Sequence, residues 1–102
     1  MALATPAAHS AAQCPVQKTA TLLSDTWTML IIRDLLAGPR RFCDLERSLS
    51  GISTRTLTLK LKKLEEEKLV RKLANGAYSA TPRGKGLRAV EVAMRRYGEK
   101  YL

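Results

Sequence analysis

The residue types able to carry out chemistry are sparse in this chain. Cys14 and Cys43 allow at most one bridge, and the C-x-x-C pairs or Cys/His clusters of a zinc site are missing. The single histidine, His9, lies near the amino terminus, so neither a His-based triad nor a His-rich metal site has parts to be built from. We therefore assign no catalytic residue, no metal and no cofactor, and do not expect an enzyme. The dominant chemistry is electrostatic. Eighteen Lys and Arg against nine Asp and Glu give a formal charge of +9 and a pI near 10.1, which favours a polyanionic partner. Residues 1–32 hold only Lys18 and Asp25, so all of the surplus lies downstream.

That surplus is concentrated in one segment. From Ser53 to Lys63 there are four basic residues, Arg55, Lys60, Lys62 and Lys63, and no acid, the carboxylates coming only at Glu65, Glu66 and Glu67. On a helical wheel Leu57, Leu61 and Leu64 form one narrow stripe, a core face, while Thr54, Arg55, Thr58, Leu59 and Lys62 point away from it. With Ser53 and Thr56, this gives a small, hydroxylated and basic amino-terminal half. It suits the major groove of double-stranded DNA, where Arg bonds guanine and Thr meets thymine methyls or phosphates. A charge run alone equally fits the solvated face of an amphipathic helix. The preceding helix, the tight turn at Gly51 and the basic segment that follows favour DNA. In that segment Arg71 and Lys72 lead to an uncharged Asn75-Gly76 tip, suited to phosphate contact. Arg40 and Arg41 either clamp the flanking backbone or serve solubility alone.

A membrane is the poorer partner. The longest apolar run, Trp27 to Ile32, stops at Arg33 and Asp34, well short of the roughly 20 residues of a span. The basic residues also share no face with a Trp/Phe/Leu stripe. Met1 to Gln13 lack the Lys or Arg that would precede a secretory core and are expected to be a flexible tail of a cytoplasmic protein. The remaining residues, 14–102, suit one domain.

The elements that position the basic segment follow from caps and periods. Pro15 opens a first helix, with Val16, Ala20 and Leu23 on one face, ending near Ser24 and Asp25. Thr26 caps a second helix, Trp27 to Ala37, stopped by Gly38-Pro39. Phe42 to Leu49 is a short third, and Ser53 caps a longer fourth to about Lys68. Val70 to Ala80 is a hairpin with a type I′ turn at Asn75-Gly76. Thr81-Pro82 opens a fifth helix to the carboxyl terminus, its first turn weakened by Gly84 and Gly86. The predicted fold is mainly α with a small β-hairpin, a winged helix-turn-helix.

In this order the chain resembles the HxlR-type winged-helix transcriptional regulators of the MarR-like group. The resemblance is carried by Cys14-Pro15-Val16, Trp27 through Leu35, Gly38-Pro39-Arg40-Arg41-Phe42 and Gly51 through Thr58. Leu61-Lys62-Lys63-Leu64-Glu65, Leu69-Val70 and Tyr78-Ser79-Ala80-Thr81 leading to Gly84 and Leu87 extend it to the carboxyl terminus. It implies a homodimer whose terminal helices pair and whose recognition helices enter successive major grooves of a near-palindromic operator, repressing or sometimes activating genes. The wing is several residues shorter than is usual in the family, which leaves minor-groove contact less supported than recognition-helix contact.

Two further expectations concern assembly and switching. Leu87, Val90, Met94, Tyr97 and Tyr101 form a continuous apolar stripe on the last helix. Its first half has core to cover, whereas Met94, Tyr97 and Tyr101 are assigned to a partner subunit, the first helix joining them in a two-fold dimer. Cys14 stands at a helix amino terminus, where the macrodipole favours the reactive thiolate. The resemblance places redox-sensing cysteines of the family there, near the dimer interface. Cys14 is thus either a sensor of oxidants or electrophiles or a small gap-filling residue. Cys43, at an expected N-cap of the third helix, is a second reactive site or, by preference, a buried structural thiol. Two alternatives stay open: a small-ligand-responsive regulator with a pocket between the first, second and last helices, near Trp27, Met29 and Met94, and a winged-helix protein-docking module.

Overall fold

The computed structural model describes residues 14–102; the expected flexible tail, with His9, lies outside the described residues. The elements run α1 (Pro15–Leu22), α2 (Thr26–Leu36), α3 (Phe42–Ser48), α4 (Thr54–Glu66), β1 (Val70–Lys72), β2 (Tyr78–Ala80), α5 (Pro82–Lys85) and α6 (Arg88–Tyr101).

The leucine stripe of α4 is the floor of the core, with Leu57, Leu61 and Leu64 at 2% exposure or less. Above it lie Ile31, Ile32 and Leu35 of α2 and Leu45 and Leu49 at the end of α3, all buried. Each such aliphatic side chain contributes about 1.5–3 kcal/mol on burial, so these residues set the orientation of α3 against α4. Leu69, Val70 and Ala80 close the core from the hairpin, and Leu87 closes it at the start of α6. β1 and β2 pair antiparallel, Val70 opposite Ala80 and Lys72 opposite Tyr78. Arg40 adds one further rung: its N–H donates to the Tyr78 carbonyl at 3.0 Å and its carbonyl accepts from the Tyr78 N–H at 2.7 Å. The fold is the expected winged helix-turn-helix.

Several local expectations are corrected. The N-cap of α2 is Asp25, not Thr26, because the Asp25 carboxylate accepts the Thr28 N–H at 2.9 Å. A charged acceptor at the positive end of a helix is stronger than a hydroxyl. The N-cap of α3 is Arg41, which puts Cys43 inside the helix, where it is exposed rather than buried. In the hairpin the Gly76 N–H donates to the Leu73 carbonyl at 2.9 Å, and of the turn residues Gly76 alone has positive φ, at 89°. This is the three-residue connection with a left-handed glycine instead of the type I′ turn.

The single fifth helix is in fact two, α5 and α6. Thr81 caps the first of them as expected, accepting the Gly84 N–H at 3.1 Å. Gly84 packs so closely on the hairpin that an added Cβ would lie 2.1 Å from the Leu69 carbonyl oxygen. That approach pins α5, and the chain redirects at Gly86 and Leu87 before α6 runs outward. Gly84→Ala must displace backbone, and we expect a loss of about 1–3 kcal/mol, the usual cost of overpacking. Thermal unfolding followed by circular dichroism measures it; an unchanged Tm would show that the contact can relax.

Candidate nucleic-acid interface

The turn between α3 and α4 sets how α4 is presented. Gly51 takes φ of 92°, the Ile52 N–H returns to the Leu49 carbonyl at 3.0 Å, and the Ser53 hydroxyl accepts the Thr56 N–H at 3.0 Å. With its leucine stripe buried, α4 turns Arg55, Thr58, Leu59 and Lys62 outward on one face, at i, i+3, i+4 and i+7. Leu59 is 53% exposed, an apolar side chain in the middle of a basic surface. Neither Arg55 nor Lys62 makes an ion pair among the described residues.

The neighbouring hydroxyls are tied to the protein itself. Ser53 caps the helix and donates to Thr56 Oγ1 at 2.9 Å. Thr58 bonds back to the Thr54 carbonyl at 2.8 Å, which leaves its methyl group for outside contact. Thr54 donates to the Glu46 carboxylate, bracing α3 against the first turn of α4. Glu46 was not singled out from the sequence, since nothing local marks a residue eight positions before Thr54 as its partner.

Lys60, one of the four basic residues of the segment, is not on the outward face. Its ammonium lies 2.9 Å from Asp25 Oδ2, joining α4 to the α1–α2 junction. Asp25 also accepts the Thr28 N–H and hydroxyl, at 2.9 and 2.8 Å. Burial pushes the Asp25 carboxyl up, but the hydrogen bonds from Lys60 and Thr28 and the Lys60 charge outweigh it and hold the group at about 2, against an ordinary 3.8. Because the folded value lies below the unfolded one, the stability it supplies is present above pH 4 and is lost as pH falls towards 2. Lys60→Met, which removes the partner, should flatten the acid limb of the stability profile between those values, as read from urea midpoints at successive pH.

The wing and the loop before α3 bring further cations near this surface. Arg71 and Lys72 are exposed on successive residues of β1, hence on opposite faces of the ribbon. Lys72 Nζ stands 5.6 Å from the centre of the Tyr78 ring. Asn75 Oδ1 accepts the Ala77 N–H at 3.0 Å and shapes the tip, and a Cβ on Gly76 would lie 3.4 Å from Arg41 Nη1. Arg41 therefore meets the wing tip, whereas the half-buried Arg40 turns back to bond the Pro39 carbonyl at 3.0 Å.

A second exposed surface lies on the outer helices. No residue of α1 is buried; Leu22 and Leu23 hold it to the core while Val16 is 76% exposed. On α6 the stripe divides as expected: Leu87 is buried and Val90 half-buried, but Met94, Tyr97 and Tyr101 are 53, 60 and 62% exposed. Cys14 is the N-cap of α1 and half-exposed. A cleft between α2 and α6 is lined by Met29, Leu30, Arg33, Glu91, Met94 and Arg95; Trp27 packs on the core instead.

Among the described residues no metal-binding cluster occurs and no helix is long and apolar enough to cross a membrane. The HxlR-like helix-turn-helix family model matches residues 22–102. The HTH-type transcriptional regulator sll1512 of Synechocystis is 36% identical over 95 residues, covering 87% of this chain and 70% of that protein. Quinone-bound YodB from Bacillus subtilis superposes with a TM-score of 0.79 at 31% identity, over 86% of this chain and all of that one. The redox regulator HypR in its reduced form superposes with a TM-score of 0.78 at 27% identity, over 85% and 92% of the two chains. By the family match over residues 22–102 and its similarity to these regulators, the present chain belongs to the HxlR-like helix-turn-helix family of DNA-binding transcriptional regulators, not enzymes.

Proposed function

We propose that this chain is a homodimeric, sequence-specific regulator, acting as a repressor, that lays α4 in the major groove and is released from DNA when Cys14 reacts with an oxidant or electrophile. The observation that carries the DNA-reading part is the face of Arg55, Thr58, Leu59 and Lys62, exposed and without ion pairs among the described residues, opposite a fully buried stripe. Arg55 there reads a base edge, Leu59 and the Thr58 methyl fit thymine methyl groups, and Lys62 meets phosphate. Arg71, Lys72, Arg41 and the Asn75-Gly76 tip hold the flanking backbone, with Arg40 supporting the wing from behind.

Dimerisation through α1 and α6 is supported by their uncovered apolar faces. Two recognition helices then meet half-sites about one DNA turn apart, and small shifts of one subunit against the other unseat them. Sensing at Cys14 is supported by its half-exposed place at the start of α1, an element with no buried residue, and by similarity to YodB, crystallised with quinone bound, and to the redox regulator HypR, whose structure is known in reduced and oxidised forms.

The test is fluorescence anisotropy on DNA from upstream of its own gene and on a genomic fragment pool, at two salt concentrations, with and without diamide. Specific binding that weakens with salt, is abolished by diamide and persists in Cys14→Ser is the expected result. Binding indifferent to diamide removes the sensor and keeps the regulator. Only weak, sequence-independent association would replace both with a protein-docking module.

A further inference from the structure

A cleft of about 310 Å³ separates α1 from the carboxyl-terminal half of α4 and from α5. Its lining includes Lys18, Thr19 and Leu22 of α1, Lys63 and Glu67 of α4, and Arg83 of α5. Lys18, Lys63 and Arg83 thus converge from three different elements, and none of them makes an ion pair among the described residues. Against three cations stands one carboxylate, Glu67, so the cleft carries a net positive charge. Neither Lys18 nor Arg83 belongs to the DNA-reading face, and Lys63 lies two turns along α4 from Arg55.

Arg83 is the ordered member of this set. Its Nε donates to the Glu67 carbonyl at 3.1 Å, which anchors the guanidinium plane and leaves both terminal nitrogens without a partner among the described residues. A guanidinium held in this way presents the fork that pairs two oxygens of a carboxylate or phosphate, while lysines add mobile point charges. The α5 turn behind it is itself fixed, since Thr81 Oγ1 donates to the Lys68 carbonyl at 2.6 Å. Leu22 and the alkyl stems of the lysines supply an apolar lining.

We propose that this cleft is a regulatory oxyanion site, taking a compact, multiply charged ligand that carries phosphate or several carboxylates. Bound there, the anion bridges α1 to α4. On α1 the Lys18 N–H bonds the Cys14 carbonyl at 2.9 Å, so the ligand sits one helical turn from the cysteine. Its effect is to fix the first helix against the DNA-reading helix.

The experiment uses the full-length, ¹⁵N-labelled protein without DNA, titrated with inorganic phosphate and separately with citrate, ionic strength being held constant with sodium chloride. Saturable amide shifts centred on Lys18, Thr19, Lys63, Glu67 and Arg83 are expected, with no saturable response to chloride. The double variant Lys18→Gln/Lys63→Gln should retain the wild-type melting temperature in chloride and weaken anion binding at least ten-fold. Saturation by phosphate alone identifies a phosphate-type ligand, saturation by citrate alone a polycarboxylate, and saturation by both a site for either oxyanion; each supports the site. The proposal is overturned by shifts that never saturate, by shifts centred instead on Arg55, Lys62 and the wing, or by unaltered affinity in the double variant. Since no DNA is present, such a failure leaves the DNA-binding reading untouched.

Discussion

Arg55→Ala will lower affinity for the specific operator by about ten- to a hundred-fold while changing non-specific binding little, because a bidentate arginine contact to a base discriminates by about 1–3 kcal/mol. The expectation rests on where the side chain stands. Arg55 occupies the first turn of α4, opposite Leu57, and has no ion-pair partner among the described residues to keep it on the protein. Truncation therefore leaves the fold intact, and a melting temperature close to wild type is part of the expected result. Lys62→Ala provides the contrast. A phosphate contact is independent of sequence, so its loss should weaken all DNA alike and reduce the slope of log K against log salt by about one. If Arg55→Ala weakened specific and non-specific DNA equally, Arg55 would be a phosphate contact and base reading would pass to Thr58 and Leu59.

The largest effect is expected from charging the far half of α6. Met94→Asp/Tyr97→Asp should convert a dimer into a monomer at micromolar concentration, seen by sedimentation, and reduce operator affinity by at least a hundred-fold. Met94, Tyr97 and Tyr101 are more than half exposed along one face, and the Tyr97 and Tyr101 rings lie against each other, tilted by 40° with centroids 4.9 Å apart, forming one apolar surface. Covering each large side chain is worth about 1.5–3 kcal/mol, whereas a carboxylate trapped in such an interface is strongly unfavourable. Linked half-sites gain about 10²–10⁴ in avidity, which a monomer forfeits. Arg95, paired with Glu91 on the same helix, offers the control: Arg95→Ala lies off the apolar stripe and should leave both assembly and affinity near wild type. A wild-type protein that sedimented as a monomer would end the dimer reading outright.

The sequence by itself determined what depends on period and on neighbours within a turn or two. The spacing of Leu57, Leu61 and Leu64 identified the core face of α4 and, by exclusion, the outward Arg55, Thr58, Leu59 and Lys62. Ser53 and Thr81 were legible as N-caps because a cap bonds only two or three residues ahead, and Leu87 and Val90 were separable from the exposed half of α6 by the size of the core available. Tertiary structure alone decided the rest. Lys60 reads locally as one more cation of the basic run, yet it is committed to Asp25, 35 residues away. Thr54 reads as a DNA contact, and only the packed structure adds that its hydroxyl donates to Glu46, eight residues away. Cys43 reads as a core thiol, yet the Arg41 cap rotates it outward. The close approach of the Leu69 carbonyl to Gly84, and the convergence of Lys18, Lys63 and Arg83, follow from how separate elements pack. The physical reason is common to all of these: periodicity and capping are properties of one element, whereas the partner of a long polar side chain, or the carbonyl above a glycine, is chosen only when separate elements meet.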